Sequence, residues 1–171
     1  DEHGFKAQEA AREAAVSPQA FADKITTANK EQLKSLNVSY DRYIRTTDED
    51  HQQMVQEFFK KVEKNGDIYL ADFEGIYCSG CEEYKTESDL VDGHCPFHPR
   101  LPLQKLKEKN YFFAWSKYED FLKSYLQENP SFVQPESRRQ EMLSFLEKGL
   151  EDISISRQNI SWGIPVPGDP K

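Results

Sequence analysis

Cys78-Ser-Gly-Cys81, followed after a short polar stretch by Cys95-Pro-Phe-His98, decides how this chain folds and uses every cysteine it has. Zinc takes four nitrogen or sulfur ligands at tetrahedral geometry, and two facing C-x-x-[C/H] turns supply them. Gly80 is the residue type such a turn needs, because it accepts positive φ and lets backbone N–H groups point at sulfur. A lone C-x-x-C also occurs in redox pairs, but no strand–helix signature surrounds this one. A disulfide framework calls for an even number of cysteines, and three leave one over. Thiol chemistry and coincidental spacing remain the competing readings. The spacing predicts a structural Cys3His zinc knuckle on Cys78, Cys81, Cys95 and His98, with no ligand position left for water. Such an ion holds structure and performs no catalysis. His94 neighbours Cys95 but lacks knuckle spacing.

Outward from the knuckle, residues 67–73 alternate and carry β formers, Glu74-Gly75 reads as a turn, and Ile76-Tyr77 enters the first cysteine pair. Residues 88–94 form a polar excursion, and 101–106 offer a partner strand. The metal would then staple a small antiparallel element. Helices flank it on both sides. Residues 4–15 are helical in pattern, and Ser17-Pro18 supplies an N-cap and N1 proline for a helix burying Phe21, Ile25, Leu33 and Leu36. Thr47 caps a strong helix running to Lys64, with Met54, Val55, Phe58, Phe59 and Val62 on one face, and Asn65-Gly66 ends it. Ser116-x-x-Glu119 reads as a capping box before a face of Tyr118, Phe121, Leu122, Tyr125 and Leu126. Asn129-Pro130 stops that helix. Pro135 opens the last one, with Met142, Leu143, Phe145 and Leu146 inward and Gly149 as its stop. Residues 153–157 alternate as a strand, and 162–169 form a proline-punctuated loop. The fold class is α+β, mainly helical with a small antiparallel β element. The run Tyr111-Phe112-Phe113 with Trp115 invites a base-stacking reading, but packing between strand and helix is the expectation. Arg138 and Arg139 follow Glu136 and are expected to pair with carboxylates.

The chain has 171 residues, enough for one domain or one domain plus a small satellite. A net charge of −8 argues against tight non-specific binding to nucleic acid, although Lys105, Lys107 and Lys109 make a local basic patch. No stretch is long and apolar enough to span a membrane, and the opening Asp1-Glu2-His3 does not resemble a signal peptide. Thiols committed to a metal fit a reducing, cytoplasmic location. The absence of an initiator methionine and the open ending at Lys171 read as cuts inside a longer protein.

Successive blocks of the chain resemble methionyl-tRNA synthetases, in family order and over nearly the whole length. They are Asp1-Glu-His-Gly4, Tyr40-Asp-Arg-Tyr-Ile-Arg-Thr-Thr47, Gly66-Asp-Ile-Tyr69, Glu74-Gly-Ile-Tyr-Cys78, Asn110-Tyr-Phe-Phe113 and Ser116-Lys-Tyr118. Pro135-Glu-Ser-Arg-Arg139, Leu150-Glu-Asp-Ile-Ser-Ile-Ser-Arg157 and Trp162-Gly-Ile-Pro-Val-Pro-Gly-Asp169 complete the series.

The resemblance implies an internal fragment of a class I synthetase. In that family a Rossmann (α/β) catalytic fold is split by a connective-peptide insertion carrying the zinc knuckle. By that resemblance, residues 1–42 are a helical segment of the first Rossmann half and 43–132 are the insertion, with its knuckle at 76–100. Residues 133–171 return to the catalytic fold. The implied reaction uses ATP, with Mg2+, to activate methionine as methionyl-adenylate and then passes the methionyl group to tRNA. Asp1 matches the aspartate that holds the methionine ammonium, and Arg157 matches an arginine that supports adenylate formation. His3 lies in the same motif as Asp1. The implied partners are the tRNA acceptor end, methionine, ATP and the remaining domains of the synthetase; self-association of the fragment is also expected. The family's ATP signatures, His-Ile-Gly-His and Lys-Met-Ser-Lys-Ser, occur nowhere in the chain. These residues alone are therefore expected to be inactive, because a half-site without its phosphate-binding loop cannot hold a nucleotide. The alternative is a free-standing zinc module that contacts RNA or protein without catalysis.

Overall fold

The computed structural model describes residues 2–158 and 160–169. Helices α1 (Phe5–Glu13), α2 (Pro18–Ser35) and α3 (Glu49–Lys64) precede strands β1 (Ile68–Cys78), β2 (Glu83–Lys85) and β3 (Gln104–Phe113). Helices α4 (Glu119–Glu128) and α5 (Glu136–Glu147) and strand β4 (Ile153–Ser154) follow. The sheet order is β2-β1-β3-β4, with β1·β2 and β3·β4 antiparallel. The expected α+β class, helices with a small antiparallel sheet, is what the chain forms.

The chain divides into two compact units. The first comprises Asp1–Lys60, Asp72–Glu108 and Arg157–Lys171. Its α1 and α2 pack together and bury small side chains: Ala11 on one, Ala22 and Thr26 on the other. Ser17 caps α2 as the sequence suggested, its Oγ accepting the Ala20 N–H at 3.1 Å with Pro18 at N1. The large apolar residues expected inside are not all there. Ile25 is 46% exposed and Leu36 71%, because the smaller side chains make the α1–α2 contact. Helix α3 buries no residue, and Met54 and Phe58 stand more than 60% exposed. Thr47 does not cap α3, since its hydroxyl is given to the Glu2 carboxylate instead.

The second unit comprises Lys61–Ala71 and Lys109–Ser156. Leu126, Leu146 and Leu150 form its buried cluster, with Trp115, Leu122, Val133 and Leu143 packed against it. Phe145 and Met142 point largely outward, each about half exposed. The capping box expected at Ser116 and Glu119 does not form. A 3-10 turn spans Trp115–Tyr118, and the Glu119 carboxylate instead accepts the Leu150 N–H at 2.7 Å and Lys123 Nζ at 2.6 Å. Buried Asp67 accepts Tyr118 Oη at 2.7 Å and pairs with Lys117, and these partners hold its carboxyl below the usual range. The aromatic run packs as expected: Phe112 stacks on Tyr69, Phe113 on Tyr118, and Trp115 lies against Phe145. Arg138 and Arg139 pair with Glu141 and Glu136.

Strand boundaries differ from the sequence reading at three places, the last being β4, which is only Ile153–Ser154 and not the expected 153–157. Glu74-Gly75 makes no turn, and β1 runs straight through it to Cys78. A Cβ on Gly75 would lie 2.7 Å from the rings of Phe73 and Tyr84, so glycine clears space for them within the strand. The partner strand begins later than expected and extends to Phe113. The polar excursion contains a tight hairpin turn, Val91 bridging His94, with Asp92 and Gly93 both at positive φ. That backbone is the type I′ geometry which Asp-Gly favours.

Candidate functional site

Strand β1 delivers Cys78 at its end, and the turn that follows brings Cys81 back toward it. The Glu82 N–H closes that turn on the Cys78 carbonyl at 2.8 Å, with Glu82 itself at φ 58°. Cys95 and His98 arrive from the loop before β3. Their one potential ligand atom each and those of Cys78 and Cys81 all lie within 4.8 Å of one another. Cys78 and Cys95 are fully buried. His98 Nδ1 lies 3.8 Å from Cys78 Sγ, 3.3 Å from Cys81 Sγ and 4.0 Å from Cys95 Sγ, and Cys81 and Cys95 sulfurs are 3.5 Å apart. A tetrahedral zinc with bonds of about 2.3 Å to sulfur and about 2.0 Å to nitrogen has edges of roughly 3.5–3.8 Å. The four residues thus fit a metal ion of that size and ligand preference.

The thiols divide unequally. Burial and the adjacent cysteines push Cys81 up to about 11. Burial also opposes ionisation of Cys95, but hydrogen bonds from His98, backbone amides and Cys81 pull it down to about 6. His94 is exposed and stands apart from the cluster. The role of Gly80 differs from the sequence reading: its φ is not positive. A Cβ there would run into the His98 imidazole, so glycine makes room for that ring.

The hairpin that carries Cys78 and Cys81 meets Arg157. In the register Cys78↔Glu83, Tyr77↔Tyr84, Ile76↔Lys85, the two tyrosines face each other one step from the first cysteine. The Arg157 guanidinium carbon lies 4.6 Å from the Tyr84 ring centroid and 6.0 Å from that of Tyr77. Tyr84 Oη donates to buried Glu108 at 2.8 Å.

Asp1 lies outside the described residues; its neighbours do not. The Glu2 carboxylate accepts Arg45 Nε at 2.8 Å, Thr26 Oγ1 at 2.6 Å and Thr47 Oγ1. Burial alone would raise its pKa, but these donors and the Arg45 charge hold it at about 2. Arg45 also pairs with Asp23 at 2.7 Å. Trp162 Nε1 donates to the Glu2 carbonyl at 2.7 Å, and its ring lies 5.3 Å from His3, whose imidazole burial pushes below its ordinary value. Gln8 Oε1 accepts from Ser161 N, Ser161 Oγ and Trp162 N, each at 3.2 Å. Sequence reading singled out Cys78, Cys81, Cys95 and His98, which the fold brings together, and Arg157, but neither the Glu2 network nor Tyr84. Their partners lie up to 160 residues away, so no local spacing signals them.

The profile of the tRNA synthetases class I (M) matches residues 1–101 and 102–171. A methionine–tRNA ligase of Caldanaerobacter subterraneus subsp. tengcongensis is 49% identical over 171 residues, covering 100% of this chain and 27% of that protein. One from Thermosynechococcus vestitus is 48% identical over 172 residues, covering 100% of this chain and 32% of that protein. Among solved structures, Mycobacterium tuberculosis methionyl-tRNA synthetase bound by methionyl-adenylate superposes with a TM-score of 0.88 at 39% identity. That match covers 99% of this chain and 34% of the other. The fold and the sequence agree on a class I tRNA synthetase, and the chain belongs to the (M) family of that class. It spans roughly a third or less of the length of the curated relatives it matches.

Proposed function

We propose that these residues form the metal-bearing insertion and adjoining catalytic-fold segments of an ATP-dependent methionine–tRNA ligase. The observation that carries this is the family match along the entire chain at about half identity to methionine–tRNA ligases. In this reading residues 1–42 and 133–171 belong to the catalytic fold and 43–132 to the insertion. Methionine carboxylate attacks the α-phosphorus of ATP, giving methionyl-adenylate and pyrophosphate, and the methionyl group then passes to the tRNA acceptor end. Charge develops on phosphoryl oxygens, so the protein contributes positioning and electrostatics.

Cys78, Cys81, Cys95 and His98 would hold one zinc ion, which serves as a structural clasp on the hairpin. Asp1, an acceptor-only carboxylate, would receive the methionine ammonium, and Arg157 would stabilise charge during adenylate formation. Neither ATP signature of the family occurs in these residues, so they need the rest of the ligase, with Mg2+ and ATP, to act.

ATP–pyrophosphate exchange with methionine in the full-length ligase tests the reading. Asp1→Ala and Arg157→Ala are expected to depress exchange sharply, while these 171 residues alone show none. Exchange unaffected by both substitutions would overturn the residue roles. Native mass spectrometry of protein purified without chelator is expected to show one zinc per chain, lost in Cys78→Ser.

A further inference from the structure

We propose that Tyr84 is a positioning residue for Arg157, its ring face setting the direction of the guanidinium that adenylate formation uses. The inference rests on the role of Arg157 proposed above. Arginine is long and flexible, and its planar, weakly hydrated head stacks on aromatic faces, so an adjacent ring can select one orientation. Here the guanidinium carbon is 4.6 Å from the Tyr84 centroid, closer than to Tyr77 at 6.0 Å.

Tyr84 is itself fixed from three sides. Phe73 meets it edge-on at 4.3 Å and Tyr77 at 5.3 Å. Its hydroxyl donates to Glu108, which is only 6% exposed. Donation to an acidic oxygen leaves the ring richer in electron density and a better partner for a cation. Gly75 keeps the strand beside the ring bare, since any Cβ there would strike both Tyr84 and Phe73. The register pairs Tyr77 with Tyr84 next to the Cys78–Glu83 pair, so the cysteine turn closes the hairpin that presents the ring. Plain core packing accounts for the aromatic contacts but not for a buried carboxylate aimed at the hydroxyl of the ring that carries a cation.

The test uses the full-length ligase, with rates expressed per metal-loaded molecule. Tyr84→Leu is expected to lower kcat for ATP–pyrophosphate exchange about tenfold, with KM for methionine moving less than about twofold. Tyr84→Phe, which keeps the ring face, should stay within about threefold of the parent. In an Arg157→Lys background, which replaces the planar head by a point charge, adding Tyr84→Leu should cost little more. Full activity of Tyr84→Leu while Arg157→Ala is inactive overturns the positioning role alone. An active Arg157→Ala overturns the reading of Arg157 on which the proposal stands. A Tyr84→Leu protein that loses its metal also overturns it, because the ring would then serve the knuckle and not the arginine.

Discussion

Glu82, the residue after Cys81, accepts the backbone N–H of Lys6 at 2.9 Å across 76 residues. Lys6 occupies the first turn of α1, where amides have no partner within the helix and negative charge is favoured by the helix dipole. Gly4, the N-cap, supplies no side chain to do this and sits at φ 115°. A Cβ on it would lie 2.9 Å from the same Glu82 oxygen. The Cys78–Cys81 hairpin thereby caps the helix that follows the Asp1-Glu-His-Gly4 motif.

Glu82→Ala should lower stability by about 1 kcal/mol, the usual cost of losing a cap. Gly4→Ala should cost more than that, since it adds backbone strain to the clash. Urea unfolding of both variants checks the order, and an unshifted Glu82→Ala would show that water replaces the carboxylate without loss.

The Glu2 network makes a pH prediction. Its folded pKa of about 2 lies below the ordinary carboxylate value of 4.5, so its stabilisation is full above 4.5 and fades as pH falls toward 2. Allowing for solvent screening, the contribution is about 1–2 kcal/mol. Glu2→Gln should be less stable at neutral pH and should lose less stability than the parent between pH 4.5 and 2. Parallel curves in that window would remove Glu2 from the acid response. Arg45→Ala, which leaves a half-buried carboxylate without its main donor, should cost about 1–2 kcal/mol.

Gly80→Ala should weaken the metal site by about tenfold or more, because the added methyl displaces the His98 ring from its place among the three sulfurs. Competition with a zinc chelator reads this directly. His94→Ala, outside the cluster, should leave the affinity unchanged, and weakening there would mean that the loop carries a ligand other than His98.

In the second unit, Leu146→Ala should cost about 3 kcal/mol, since Leu146 is 4% exposed at the centre of its cluster. Its neighbour Phe145 is 51% exposed, so Phe145→Ala should cost less despite removing more atoms. Equal losses in denaturant titrations would place Phe145 inside a larger core.

The sequence by itself determined the helices, their stops at Gly66, Asn129 and Gly149, and the Cys78, Cys81, Cys95 and His98 set that converges in one place. These signals are local: caps, positive-φ glycines and C-x-x-[C/H] turns act within a few residues. Tertiary structure alone decided which apolar faces are covered. The periodic face of α3 buries no residue fully and leaves Met54 and Phe58 exposed, while the loosely patterned α2 buries Ala22 and Thr26, because burial depends on the surface opposite and not on the pattern itself. It also decided the use of side chains that local rules assign elsewhere. Thr47 serves Glu2 instead of a helix cap, Glu119 serves the Leu150 amide, Gly75 makes room for rings instead of turning the chain, and Gly80, within its turn, makes room for the His98 ring. A polar group finds the nearest unsatisfied partner in space, and an aromatic ring the nearest bare backbone. Both are set by contacts between segments dozens of residues apart, as with Tyr84 and Arg157.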